Sequence, residues 1–71
     1  MFLMWYDDDR KKTATEKIAD ALAAYEKRWG NRANLVLVNA ADLGDAPKQV
    51  TVRPQPFIQR SNFYVGVEVL S

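Results

Sequence analysis

Neither histidine nor cysteine occurs among these 71 residues. Zinc fingers, thiol chemistry, disulfide scaffolds and every Ser-His or Cys-His nucleophile are thereby excluded. What survives is carboxylate, lysine and tyrosine chemistry, or no chemistry at all. Charge of one sign is also scarce: ten Lys and Arg against nine Asp and Glu leave a formal charge of +1. That is far from the basic excess that drives phosphate-dominated binding, so nucleic acid is not an expected partner. The three glycines, Gly30, Gly44 and Gly66, stand far apart and form no phosphate-cradling loop. No apolar run approaches the length of a transmembrane helix. Met1 to Tyr6 is apolar but lacks a basic n-region and runs straight into Asp7-Asp8-Asp9, so it reads as folded structure rather than a signal segment. No membrane association is expected, and the expected compartment is the cytoplasm.

What is present has the pattern of a single small domain over residues 1–71, with 48% hydrophobic composition. Met1 to Tyr6 reads as a strand apolar on both faces. From about Arg10 to Trp29 the period lengthens: Ala14, Ile18, Ala21, Leu22, Tyr25 and Trp29 fall at helical spacing. Thr13 and Glu16 fit a capping box, while Lys27, Arg28 and Gly30 supply the C-terminal stop. Leu35 to Val38 is a second buried strand, and strand, helix and strand imply parallel strands joined by a right-handed crossover. Asn39 to Gly44 reads as one helical turn with Asn39 as N-cap and Gly44 as its stop. Val50 to Arg53 reads as a half-exposed strand confined to an edge by Pro54 and Pro56. Phe63 to Leu70 alternates as the last strand. The fold class is therefore α/β (α+β by connectivity), with a small mixed sheet of about four strands and one long amphipathic helix. The order is β-α-β-(short helical turn)-β-β.

A domain this short buries only about 60% of the surface its unfolded chain exposes, and its core supplies no more than about 3–5 kcal/mol. One helix covers one sheet face, while the first strand offers apolar side chains on both. Met1, Leu3 and Trp5 oppose Phe2, Met4 and Tyr6, so whichever set meets the helix, the other set is left. The short turn and a folded-back Pro54 to Arg60 segment are the alternative cover. The expected state is a homo-oligomer, most simply a two-fold dimer, or a complex with a protein partner. The interface is expected at Met1, Leu3 and Trp5, with Pro54, Pro56, Phe57 and Ile58 either reaching out as an arm or tucking onto the sheet.

Asp7-Asp8-Asp9 is the most conspicuous chemical feature. At the carboxyl end of a strand, with Asp42 past the end of another, these oxygens suit Mg²⁺; equally, they cap the helix and keep the edge soluble. Met1 to Asp8 resembles the opening strand of phosphorelay receiver domains, which implies Mg²⁺ held beside a phosphoacceptor aspartate at the end of a later strand. Here that later strand ends in Asn39, and the chain is too short for the receiver's alternating elements. Tyr6-Asp7 followed by Arg10-Lys11-Lys12 is similar to the first strand and basic helix start of the small CRISPR-associated ferredoxin-like dimeric nucleases, and the likeness implies a nuclease role for Asp7. The second long helix of those proteins has no counterpart here. Arg10-Lys11-Lys12 and Lys17, with Trp5, Tyr6, Phe63 and Tyr64 as stacking faces, would serve unpaired bases. Glu68 is the one charge in an apolar strand, and Arg53 on a paired strand would account for it.

The leading reading is a non-enzymatic, self-associating or partner-binding module with no cofactor and no catalytic residue. The alternatives are an Mg²⁺-dependent nuclease-like or phosphoryl-transfer protein using Asp7, Asp8, Asp9 and Asp42, and a weak nucleic-acid-binding module.

Overall fold

A computed structural model describes residues 2–69. Met1 and Leu70, expected in the first and last strands, lie outside the described residues. The elements are β1 (Phe2–Tyr6), α1 (Ala14–Trp29), β2 (Leu35–Val38), a 3₁₀ turn (Ala40–Asp42), β3 (Thr51–Pro54) and β4 (Asn62–Gly66). The helix starts where its chemistry dictates. Thr13 holds extended backbone, its hydroxyl accepts from the Glu16 amide (3.1 Å), and the Glu16 carboxylate accepts from the Thr13 amide (2.9 Å). This reciprocal pair fixes the start later than the apolar period alone suggests, because it leaves Arg10 to Lys12 outside. At the other end Gly30 takes the left-handed conformation, φ 74°, and donates to the Glu26 carbonyl.

The sheet order is β1-β4-β2-β3. Strand β4 runs antiparallel to both β1 and β2, while β2 and β3 are parallel. Thus β1 and β2 are parallel, as the strand–helix–strand pattern implies, but they are not neighbours. The last strand inserts between them. Residues 39–50 join β2 to β3, a connection of the length that parallel neighbours require. Residues 55–61 carry the chain from β3 past the end of β2 into β4, and the Gln55 amide bonds the Val38 carbonyl on the way. The proline-bracketed segment expected to be extended instead folds into two successive turns, the Ile58 amide bonding the Gln55 carbonyl and the Asn62 amide the Gln59 carbonyl.

Register sorts the sheet into two faces. Leu3, Trp5, Phe63, Val65, Val36, Val38 and Val52 share the face toward α1, where Ile18, Ala21 and Tyr25 complete the core. The largest wholly enclosed side chains are Phe63, Ile18, Val36, Val38 and Val65, each contributing about 1.5–3 kcal/mol of burial. Ala46 and Val50 of the 39–50 connection pack on this same side. Gly44 presses against the start of α1: a Cβ there would stand 2.8 Å from the Thr15 amide nitrogen. Its role is close approach rather than the helix stop expected of it; the 3₁₀ turn ends at Leu43. Helix and connection thus cover the same face.

β4 stops at Gly66 rather than continuing to Leu70 as expected. Beyond it the Asn34 side chain takes the place of a strand: its Oδ1 accepts from the Glu68 amide (2.7 Å) and its Nδ2 donates to the Glu68 carbonyl (3.0 Å).

Candidate functional site

On the face away from α1 lie Phe2, Met4 and Tyr6 of β1, Tyr64 of β4 and Leu35 and Leu37 of β2. Phe2, Met4 and Tyr6 are 42%, 60% and 62% exposed. The interface expectation at Leu3 and Trp5 falls on the opposite side, because both pack against the core. Alternation along a strand apolar on both faces then leaves the even-numbered set in water. The Phe2 ring lies over Gly66, its cross-strand partner, and fills the space where a side chain would stand. Toward β3 the apolar face ends in charge: the Arg53 guanidinium donates two 3.3 Å bonds to the Glu68 carboxylate. Arg53 is indeed the partner of Glu68, yet β3 and β4 are not paired; the ion pair reaches across β2.

The two edges of the sheet differ. β3 carries Arg53 and ends in Pro54, which has no N–H to offer a further strand. β1 has the sequence Phe-Leu-Met-Trp-Tyr, with no charge, proline or glycine. Its outer row of backbone groups faces no strand among the described residues.

The carboxylates expected to hold Mg²⁺ each have a nearby partner. Asp7 accepts from the Asp9 amide (3.0 Å), Asp9 from the Lys11 amide (2.9 Å), and Asp8 from the Tyr6 phenol (3.2 Å). The last bond raises the Tyr6 pKa above its ordinary value, helped by the negative charge of Asp8. Lys12 bonds Asp20 at 2.8 Å and lies 3.9 Å from Asp7, and its pKa is raised chiefly by the Asp20 bond. Asp42 is buried, accepts from the Ser61 amide (2.7 Å) and sits 3.6 Å from the Arg60 guanidinium. That grip steadies Ser61 in the left-handed region, φ 68°, where a non-glycine residue is uncommon. Among the described residues no three acidic side chains converge as a metal-holding group.

The Pro54 to Arg60 segment divides its expected roles between two residues. Ile58 is 2% exposed, and its carbonyl accepts from Asn39 Nδ2 at 2.9 Å, whereas Phe57 is 71% exposed. Pro54 and Pro56 are exposed.

No protein family, curated protein or solved structure matches this chain. No helix among the described residues is long and apolar enough to cross a membrane. Sequence reasoning missed one cluster. Asp8, Arg10, Lys12, Lys17, Asp42, Arg60 and Ser61, drawn from four separate segments, line a cavity of about 620 Å³ beside the first turn of α1. Arg10, Lys12 and Lys17 stand out in the sequence as a basic cluster; Arg60 and Ser61 join them only through the return of the chain into β4.

Proposed function

We propose that this protein is a non-enzymatic self-associating module, and that two copies pair through β1 and the open face beside it. The observation that supports this best is the asymmetry of the sheet edges. β3 is blunted by Arg53 and Pro54, while β1 leaves a fully apolar edge contiguous with the exposed Phe2, Met4 and Tyr6. Water is a poor environment for both features at once, and a second copy satisfies both. Identical strands meeting antiparallel across a two-fold axis make a self-complementary contact, which closes at two subunits. The compartment we propose is the cytoplasm, on the sequence grounds already given.

Light scattering after size exclusion is expected to give about twice 8.1 kDa for the wild type. Met4→Lys, placing a charge in the middle of β1 at an exposed site, is expected to give a folded monomer with an unchanged circular dichroism spectrum. A wild type that stays monomeric at high micromolar concentration, or a Met4→Lys variant that stays dimeric, would overturn the proposal.

A further inference from the structure

The cavity beside the first turn of α1 holds two cations, Arg10 and Lys17, that no carboxylate among the described residues pairs. Four cations line it, Arg10, Lys12, Lys17 and Arg60, against two carboxylates, Asp8 and Asp42. Asp42 is engaged by the Ser61 amide and Arg60, while Asp8 accepts from the neutral Tyr6 phenol and keeps its negative charge at the cavity wall. Lys12 is balanced by Asp20 and Asp7. Arg10 and Lys17 remain without an ion-pair or side-chain hydrogen-bond partner among the described residues.

Lys17 is the decisive residue. It is only 9% exposed, and a lysine withdrawn from water this far ordinarily has a carboxylate or carbonyl on its ammonium. Here there is none: the stem is buried, while the ammonium keeps contact with solvent and lines the cavity. The buried stem thus delivers the ammonium to the cavity's water, where Arg10 is a second cation without a carboxylate partner among the described residues. The N-terminal end of α1 adds its positive partial charge through Ala14 in the cavity wall. Arg10 brings a planar fork and Lys17 a point charge, a combination matched to a tetrahedral dianion.

We infer that the cavity formed by Arg10, Lys12, Lys17, Arg60 and Ser61 is a binding site for the phosphate group of a small phosphomonoester. A nucleic-acid strand is the less favoured occupant, because the lining is a local pocket rather than a groove tracking many phosphates, and the whole chain carries only +1. The lining includes no residue of the open sheet face, although Asp8 in its wall accepts from the Tyr6 phenol of that face.

The test is a titration of the full chain, followed by amide chemical shifts, with inorganic phosphate, adenosine monophosphate, adenosine and an unphosphorylated single-stranded oligonucleotide. Saturable shifts confined to residues 8–17, 41–42 and 60–61 are expected with phosphate and with adenosine monophosphate, and none with adenosine. Lys17→Met keeps the buried stem and removes the charge. It is expected to weaken phosphate binding at least tenfold while leaving the melting temperature equal or higher, which a lysine with a merely structural role would not do. Lys11→Gln, outside the cavity, is expected to bind as the wild type does. Shifts that only track ionic strength, wild-type binding by Lys17→Met, or tighter binding of the unphosphorylated oligonucleotide than of phosphate would each overturn the assignment. Should Lys17→Met unfold, Arg10→Gln on the exposed rim supplies the same test: unchanged phosphate binding would overturn the inference.

Discussion

Trp5 turns its indole to the core side of β1, but its Nε1–H is buried without an acceptor among the described residues. A donor left in that state costs about 1–3 kcal/mol. Trp5→Phe removes the orphan while keeping an aromatic ring, so the usual penalty of a smaller core side chain is offset. The expected outcome by urea denaturation is a stability within about 1 kcal/mol of wild type, against the about 3–5 kcal/mol typical of aromatic truncation to alanine. A loss of that larger size would show that the indole nitrogen has an unseen acceptor. The same strand explains a limit of sequence reading. Both alternate sets of Phe2 to Tyr6 are apolar, so nothing local says which set meets the helix. The choice is made by β4, whose Phe63 and Val65 face α1 and fix the register of Trp5 and Leu3.

Among the elements, those written locally were legible and those made by distant pairing were not. Thr13 and Glu16 sit three residues apart and show the helix start directly; Gly30 shows its end. The insertion of β4 between β1 and β2 has no local signature, nor does the reach of Arg53 across β2 to Glu68. The candidate cavity is of the second kind: Lys17 was visible as a cation, but its sharing a cavity with Arg60 and Ser61 depends on the chain returning there. Gly44 belongs here as well, since it read as a stop signal and proves to be a contact. A Cβ at Gly44 would meet the backbone of Ala14 and Thr15, and neither can yield without shifting the helix. Gly44→Ala is expected to cost about 1–3 kcal/mol of overpacking, seen as a lower urea midpoint with an unchanged slope. An alanine variant as stable as wild type would mean that the connection slides freely over the first turn of α1.

For the molecule as a whole, the unequal cover of the two sheet faces makes stability a property of concentration. One helix and one connection guard the same face, and the other is left with Phe2, Met4, Tyr6 and Tyr64. If a second copy covers it, the folded state is favoured by mass action. The melting temperature is then expected to rise steadily as protein concentration is raised from low to high micromolar, and the rise is expected to vanish in Met4→Lys. A wild-type melting temperature independent of concentration would argue that the exposed face is tolerated in water. The mixed sheet and single long helix were legible in the hydrophobic periods; the identity of the bare face was not, because it follows from strand order.

That strand order also governs how the chain comes to be folded during synthesis. β4, which both β1 and β2 require as their neighbour, is the last of the four strands to be made. Until it emerges, the first strand has no ladder to join and the helix has no Phe63 or Val65 to cover. Local helix formation at Ala14–Trp29 can come early, but the sheet closes only when residues 62–66 reach residues 2–6, a contact of large sequence separation and so a slow kind. A nascent chain therefore carries the bare Phe-Leu-Met-Trp-Tyr segment until residues 62–66 are made. Its vulnerability to misassembly lies in that interval, before the central strand arrives.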